Sequence, residues 1–305
     1  MSAVDNLLNK SCICRHWACV VLAVAGLSMV AAVPPAWSGV LDRIAESGQM
    51  VAGTRADTPP FASRRAGGGF EGFSVDLLEI LRAAVEAEVG RPVSLELRAV
   101  TPADRLDRVA AGELHIVCGI TTPTWEREAV VDFTVPFFRD GTRVLSYRET
   151  VEAGVTLDTM RIGVAQGTTT SAIVAEELPT AAFTTYPDMD SAMAALAAGE
   201  IDGVSNIGVA LLGLASRAEP RRSVVLLPRT APLGTEALSC VVPEDDSDWR
   251  DLINHTLVGL YDGIGDYRGA YVDLYDRWFG RDGVMVYPLD RSTRDYLEHI
   301  NIWAQ

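Results

Sequence analysis

Apolar and polar positions alternate along the chain in a pattern typical of α/β proteins. Short apolar runs with the length of buried strands lie at residues 50–53, 93–100 and 116–118. A helical stripe of apolar residues follows Ser74, formed by Leu78, Leu81, Val85 and Val89. We expect Ser74 to be the N-cap of this helix, because serine side chains accept hydrogen bonds from the first free N–H groups. The alternation predicts βαβ units and a largely parallel sheet.

The second half of the chain repeats this alternation. Further strand-like runs lie at residues 161–164, 183–186, 201–205, 224–227 and 237–242, and helices are expected at 167–177, 190–198, 249–260 and 267–279. We therefore predict an α/β fold of two lobes, with two mixed or parallel sheets flanked by helices. A two-strand hinge joins the lobes, and a ligand cleft lies between them. The predicted first lobe is residues 39–147 plus 232–305, and the second is residues 148–231. The pattern after Asp282 predicts no element.

The N-terminal residues 1–38 have the features of a secretory signal peptide. Lys10 and Arg15 precede an apolar run at residues 18–33, and small residues surround a cleavage point before Gly39. The run of about 16 residues is short for a membrane span. The alternative is an uncleaved anchor helix. We expect export and a periplasmic location for the cleaved protein.

The charge pattern excludes several function classes. The formal net charge is −15, and a nucleic-acid-binding protein needs clustered basic residues instead. Lys10 is the only lysine, so the cleaved chain has none for Schiff-base chemistry. His115, His255 and His299 lack the spacing of metal ligands. We expect neither a metal site nor a cofactor.

A threonine-rich loop with one arginine, within residues 118–141, is the strongest candidate for a binding site. The stretch CGITTPTWEREAVVDFTVPFFRDG starts at the end of a predicted strand and contains Thr122 and Arg127. Hydroxyls, free backbone N–H groups and a guanidinium fork suit a small carboxylate. The alternative for Arg127 is a surface ion pair with Glu126, Glu128 or Asp132.

Several segments in order resemble one known family. They are GTRADTPPF (53–61), GFSVDL (72–77), T-T-x-T-x-x-R followed by V-D-F-T-x-P-F-F, GVAQGTTT (163–170) and AMAALAAGEIDG (192–203). This order resembles the extracellular amino-acid-binding proteins of bacterial ABC transporters, solute-binding protein family 3, and CGITTPTWERE resembles its glutamate/aspartate branch. The resemblance implies a type II periplasmic-binding-protein fold, no catalysis, a monomer, a small carboxylate ligand and a membrane permease as partner.

The resemblance also implies a set of ligand-binding residues. Thr122 and Arg127 would hold the α-carboxylate together with the start of a helix at Thr168, Thr169 and Thr170. Arg55 and Arg105 match the arginines that meet an acidic side chain. Thr58, Ile120 and Asn206 complete the predicted set. Each arginine alone is more often a solvated surface residue, and a threonine run is more often an ordinary N-cap.

One position departs from the family pattern. The family has an aspartate after the strand at residues 201–205 that pairs with the ligand's ammonium group, and Ile207 stands there in this chain. Either Ser205 or Asn206 accepts the ammonium hydrogen bonds, or the ligand has no free amine. We therefore expect poor discrimination between an acidic amino acid and its des-amino counterpart.

Two cysteines remain once the signal peptide is removed. Cys118 and Cys240 each lie in an apolar, strand-like run, and an oxidising compartment favours a disulfide between them. Two buried free thiols are the alternative.

Three other functions compete with amino-acid transport. One is a binding protein for a dicarboxylate that lacks an amine. Another is an enzyme on the same fold, as in the cyclohexadienyl dehydratases that resemble these receptors. It would need a general acid or base in the cleft. Carboxylates are abundant, but none is paired at a matched cleft position, and no histidine falls in a cleft loop. The last is a ligand-sensing partner of a membrane receptor.

Overall fold

The computed structural model describes residues 39–217 and 222–300 of the chain. The predicted signal peptide, residues 1–38, lies outside the described residues. Within the described part, no helix combines the length and the apolar character that crossing a membrane requires.

Ten helices and twelve strands make up the described part of the chain. The helices are α1 (Val40–Ser47), α2 (Phe73–Val89), α3 (Arg105–Ala110), α4 (Arg148–Glu152), α5 (Thr169–Glu177), α6 (Met189–Ala198), α7 (Gly208–Arg217), α8 (Ser247–Leu260), α9 (Ala270–Phe279) and α10 (Arg291–Ile300). The strands are β1 (Gln49–Thr54), β2 (Asp57–Thr58), β3 (Ala62–Arg64), β4 (Phe70–Glu71), β5 (Ser94–Ala99), β6 (Ile116–Val117), β7 (Asp132–Tyr147), β8 (Arg161–Ala165), β9 (Ala182–Tyr186), β10 (Gly203–Ile207), β11 (Val224–Leu227) and β12 (Gly234–Val242).

The predicted α/β fold is confirmed, with a refinement in how its sheets connect. Nine strands form one mixed sheet in the order β5-β1-β6-β12-β7-β10-β8-β9, with β11 also paired to β7. Strands β5, β1 and β6 are parallel, as are β10, β8 and β9. The two sheets predicted from the sequence are joined into one, because β7 is long enough to pair with strands of both. Its first part pairs with β12, and its last residues pair with β10 and β11.

Strands β7 and β12 form the connection between the two halves. The register places Glu236 opposite Asp140 and Gly234 opposite Thr142 in an antiparallel pair. This pair corresponds to the two-strand hinge that the sequence predicts. The lobe boundaries themselves stay a prediction.

Helix α2 begins differently from the prediction. Its N-cap is Gly72 rather than Ser74, which lies within the first turn with a buried hydroxyl. The N–H groups of Phe73 and Ser74 donate to the backbone carbonyls of Pro60 and Phe61, so the adjoining loop satisfies them. Gly72 has φ of 144°, and a Cβ there would lie 2.1 Å from the Phe61 oxygen. Only glycine fits this close approach.

The largest hydrophobic core packs α2, α8 and α9 against the first part of the sheet. Its centre is an aromatic cluster in which the Phe73 and Phe138 rings lie 5.7 Å apart, edge to face, and the Phe138 and Tyr275 rings are stacked at 5.7 Å. Such pairs add about 0.5–1.5 kcal/mol beyond the burial of their area. Helix α10, in the tail where the sequence predicts no element, contributes Leu297 to this core.

Candidate functional site

A pocket lies where the ends of several strands and the starts of two helices meet. It is lined by Arg55, Arg105, Ile120, Thr122, Arg127, Ala165, Thr168, Thr169, Thr170, Asn206 and Glu236. Nine of the ten predicted ligand residues are in this set. The exception is Thr58, which is fully buried in β2 with a hydroxyl that has no hydrogen-bond partner among the described residues. The ligand-binding roles of the nine stay predictions.

Arg105 is a buried cation whose hydrogen bonds, within the described part of the chain, all go to neutral oxygens. Its side chain is 2% exposed and begins α3 at the pocket. Its guanidinium donates to the Thr121 hydroxyl at 2.9 Å, to the Pro102 carbonyl and to the Gly167 carbonyl at 3.5 Å. All three acceptors are neutral. Burial, with the neighbouring guanidinium groups of Arg127 and Arg55, lowers the pKa of Arg105 to about 9. A carboxylate in the pocket would relieve this electrostatic penalty.

Arg127 spans the pocket instead of forming the surface ion pairs considered above. It donates to the Thr122 carbonyl at 2.6 Å and to the Gly167 carbonyl at 3.1 Å. Asp132 pairs with Arg250 instead, at 2.7 Å. Burial lowers the pKa of Arg127, and the Glu236 carboxylate acts in the opposite direction. The remaining guanidinium N–H groups are available to a ligand.

Arg55 already has an acidic partner. Its guanidinium forms two parallel hydrogen bonds to Asp57, at 2.9 and 2.6 Å, and both side chains are buried. Asp57 also accepts a bond from the Met189 N–H at 3.3 Å. Asp57 was not predicted as the partner of Arg55. The sequence signal for this pair is an acidic residue two positions after an arginine in the same loop. Arg55 therefore offers less free charge to a ligand than Arg105 does.

Glu236 and Ala165 line the pocket but are not among the residues predicted from the sequence, and Glu236 is the charged one of the two. It is 3% exposed on β12, and its carboxylate accepts hydrogen bonds from three threonine hydroxyls. Thr122 donates to Oε2 at 2.7 Å, Thr142 donates to Oε1 at 2.5 Å, and Thr169 donates to Oε2. The only available signal was a lone glutamate within an otherwise apolar strand. Glu236 is a single carboxylate in the pocket lining, so the expectation of no paired carboxylates at a matched cleft position stays a prediction. We name Glu236, Thr122, Thr142 and Thr169 the glutamate cluster.

The threonine run opens a helix, as predicted, but its hydroxyls are used elsewhere. Thr168 is the N-cap residue of α5 and makes no side-chain cap bond, because its hydroxyl donates to the Ala165 carbonyl at 2.7 Å. The Thr169 hydroxyl belongs to the glutamate cluster. The first N–H groups of α5 thus receive no side-chain cap, and a helix N-terminus of this kind favours an anion.

The predicted ammonium acceptors are uncharged and already make hydrogen bonds within the protein. Ser205 donates its hydroxyl to the Arg143 carbonyl at 2.8 Å, and the Asn206 side-chain oxygen accepts the Ile207 N–H at 2.8 Å. Ile207 is fully buried in the main hydrophobic core rather than along the pocket. This part of β10 therefore presents no carboxylate of the kind that the family pattern supplies.

The predicted disulfide is present. Cys118 and Cys240 are joined with an S–S distance of 2.11 Å and a sequence separation of 122 residues. The bond connects the loop that carries Thr122 and Arg127 to the strand that carries Glu236. Over residues 39–217 and 222–300, no group of three or more histidine, cysteine or acidic side chains is placed to hold a metal ion.

Comparisons with known proteins agree with this architecture. A model of bacterial extracellular solute-binding proteins, family 3, matches residues 50–281. The glutamate/aspartate import solute-binding protein of Escherichia coli K12 is 24% identical over 274 residues, covering 87% of this chain and 88% of that protein. The ABC transporter arginine-binding protein 1 of the same organism is 26% identical over 229 residues, covering 74% of this chain and 89% of that protein.

The solved structures show the same fold. An ancestral amino acid-binding protein, described as a precursor of cyclohexadienyl dehydratase, matches with a TM-score of 0.66 at 24% identity. The match covers 79% of this chain and 100% of that structure.

Proposed function

Because the chain belongs to the bacterial extracellular solute-binding proteins of family 3, we propose that it binds glutamate, aspartate or a closely related acidic amino acid in this pocket. The protein would then deliver the ligand to the membrane permease of an ABC transporter. Export through the segment at residues 1–38, a periplasmic location and a monomeric state belong to the same proposal.

The observation that carries the proposal is the state of Arg105. A buried guanidinium that is bonded only to neutral oxygens has lost its hydration without gaining a hydrogen-bonded anion, and Asp104 offsets only part of this cost, which is several kcal/mol for an unpaired buried charge. A ligand side-chain carboxylate would supply that charge, and a neutral or basic side chain would not. Arg127 and the N-terminus of α5 remain available for the α-carboxylate.

Net charge favours an acidic ligand over arginine, although relatives include binding proteins for both. Arg55 is neutralised by Asp57, so the lining leaves the charges of Arg105 and Arg127 against that of Glu236. One positive charge is therefore in excess. An acidic amino acid, with two carboxylates and one ammonium group, carries the complementary charge of −1.

Closure of the cleft over the ligand is supported by contacts across the pocket. Arg105 and Arg127, from the predicted first lobe, both donate to the backbone carbonyl of Gly167 in the predicted second lobe. The Thr169 hydroxyl of the predicted second lobe also donates to Glu236 of the first, so the hydrogen bonds that cross the pocket would have to break on opening. A hinge at β7 and β12 would allow the halves to separate and admit the ligand.

Calorimetry with the exported protein tests the proposal. We expect glutamate or aspartate to bind at least about a hundredfold more tightly than glutamine or arginine, a difference of about 2.7 kcal/mol. At a hundred times its dissociation constant, the ligand should raise the unfolding free energy by about 2.7 kcal/mol. Tighter binding of arginine than of either acidic amino acid contradicts the proposal.

The same samples separate binding from catalysis. The solved structure of a dehydratase precursor makes an enzyme the alternative to examine, and Glu236 is a carboxylic side chain in the pocket. We propose that the protein is not an enzyme. Prolonged incubation with the bound amino acid, and separately with cyclohexadienyl precursors of aromatic amino acids, should leave each compound unchanged by NMR. Conversion that depends on Glu236 would favour the enzyme.

A further inference from the structure

We propose that Glu236, with the hydroxyls of Thr122 and Thr169, forms the subsite for the ligand's α-ammonium group. This subsite would replace the acidic residue that the chain lacks at position 207. The inference rests on the proposed function, because it requires a ligand that carries a free amine. It replaces the expectation that Ser205 or Asn206 takes this role or that the amine is absent.

The other acceptors near the pocket are neutral or already paired with a cation. Both hydrogen bonds from Arg55 neutralise Asp57, and the Asn206 side-chain oxygen is an uncharged acceptor that is bonded to the backbone N–H of Ile207. Among the described residues that line the pocket, Glu236 is the only one with a carboxylate. A ligand ammonium buried in the pocket needs an anionic partner, since an unpaired buried charge is strongly unfavourable.

The orientation of the two threonine hydroxyls supports the same assignment. A hydroxyl has one proton to donate, and Thr122 and Thr169 both donate theirs to Oε2 of Glu236. Neither hydroxyl can then donate to a ligand carboxylate, so what remains free on each is a lone pair. An ammonium group has three donors and no acceptor. Glu236 Oε2 and the two hydroxyl oxygens offer three acceptors from one corner of the pocket.

The third threonine fixes the carboxylate in place. Thr142 is fully buried on β7 and donates to Oε1 of Glu236 without being part of the pocket lining. Because Oε1 is bonded on the far side, Oε2 is the oxygen that stays turned toward Thr122 and Thr169. Glu236 is therefore preorganised, and a ligand does not have to order it on binding.

The assignment of the ammonium group leaves consistent roles for the rest of the pocket. The α-carboxylate meets Arg127 and the start of α5, and the side-chain carboxylate meets Arg105. A dicarboxylate without an amine would pair with both arginines and leave the Glu236 carboxylate without a cationic partner. The pocket should therefore distinguish glutamate from glutarate, which differ only by the amine.

Calorimetric titration of wild type and Glu236→Gln with L-glutamate and with glutarate tests the subsite. We expect wild type to bind glutamate at least about 30-fold more tightly than glutarate, because a charge-assisted hydrogen bond contributes about 1.5–3 kcal/mol. Glu236→Gln should weaken glutamate binding about 10- to 100-fold and leave glutarate binding equal or stronger. Glu244→Gln, an exposed glutamate just beyond β12, is the matched control and should change neither affinity.

The outcomes separate this inference from the proposed function. Equal losses for both ligands in Glu236→Gln would show that Glu236 only supports the fold, which overturns the inference. Equal affinities of wild type for glutamate and glutarate would overturn it as well, while acidic-ligand binding stands. If wild type binds neither acidic amino acid, the proposed function fails and the inference fails with it.

If Glu236→Gln does not fold, Thr169→Val replaces it. This variant should narrow the preference for glutamate over glutarate about fivefold, and an unchanged preference overturns the inference.

Discussion

The pocket has two regions whose charged side chains differ in the partners that the protein gives them. The arginine side, Arg55, Arg105 and Arg127, is rich in donors, and two of its three cations lack an anionic partner among the described residues. The glutamate cluster is rich in acceptors, and its single anion is bonded by three hydroxyls. The arginine side is left with cations that no carboxylate in the described part of the protein bonds. The carboxylate of the glutamate cluster is held in place by hydroxyls of the protein.

This difference indicates what the ligand must supply and what it must match. A guanidinium that is buried without a hydrogen-bonded anion, like that of Arg105, is stabilised when a carboxylate arrives, so we expect the arginine side to provide affinity for anionic ligands. A fixed carboxylate with surrounding oxygens rejects a second anion and accepts an ammonium group, so the glutamate cluster provides selectivity. Substitutions on the two sides should therefore change binding in different ways, and the predictions at Arg127, at Arg105 and Arg55, and at Thr142 test this.

The largest effect is expected at Arg127. Arg127→Ala should weaken binding of every amino-acid ligand by at least about 300-fold, because a charge-assisted fork to the α-carboxylate is lost within a closed pocket. Calorimetry with glutamate and aspartate measures the loss. Arg127→Lys should also bind poorly, since a point charge cannot reproduce the fork geometry. Wild-type affinity in either variant would falsify the role of Arg127 as the anchor.

The next prediction is that Arg105 contributes mainly to ligand affinity and Arg55 mainly to stability. Arg105→Ala should weaken glutamate binding about 100-fold, the result of losing about 2–3 kcal/mol, with little change for a neutral ligand such as glutamine. Arg55→Ala leaves Asp57 buried without its partner, so its main effect should be a fall in unfolding free energy of about 3–5 kcal/mol. Calorimetry and urea denaturation of both variants check this. A larger loss of acidic-ligand selectivity in Arg55→Ala than in Arg105→Ala would contradict the comparison.

The contrast between the two regions also explains what the sequence could reveal. The arginines and the threonine run stand in short segments with recognisable order, and nine of the ten residues chosen there line one pocket. The helices and strands were predictable because apolar spacing is a local signal. The glutamate cluster is not local, because Glu236 lies 114, 94 and 67 residues from the threonines that bond to it.

The hydrogen-bond partners of individual residues could not be predicted from the spacing of apolar residues either. The family pattern assigned Arg55 to the ligand, but the folded loop brings Asp57 into a bidentate pair with it. Similarly, Ser74 has the residue type and position of an N-cap, yet carbonyls from the preceding loop had already satisfied the helix start. In both cases the competing partner is set by the three-dimensional path of a loop.

A third prediction contrasts the buried cation of the pocket with a buried base outside it. His115 accepts the Val51 N–H on Nδ1 at 3.1 Å, and burial, followed by Arg43 and Arg98, lowers its pKa to about 4. The unfolded chain takes up this proton near pH 6.5, so stability is complete above that value and is lost as pH falls toward 4. Between pH 6.5 and 5 the contribution is about 1–2 kcal/mol.

Urea denaturation at pH 7 and pH 5 measures the His115 effect. His115→Asn keeps an acceptor near the Nδ1 position and removes the titration. We expect wild type to lose about 1–2 kcal/mol more than this variant between the two pH values. Parallel losses in both proteins would show that other groups account for the acid sensitivity.

The smallest effect is expected at Thr142, the member of the glutamate cluster that does not line the pocket. Thr142→Val removes the donor to Oε1 of Glu236 while keeping the shape of the side chain. Freed on that side, the carboxylate samples other orientations, so glutamate binding should weaken by about two- to fivefold, or about 0.5–1 kcal/mol. Glutarate binding should change less, because glutarate has no ammonium group to lose a partner. Thr142→Ser retains the hydroxyl and should behave as wild type. Calorimetry on the three proteins measures both affinities. If Thr142→Val weakens the binding of glutamate and of glutarate alike, Thr142 acts on the hinge rather than through the position of Glu236.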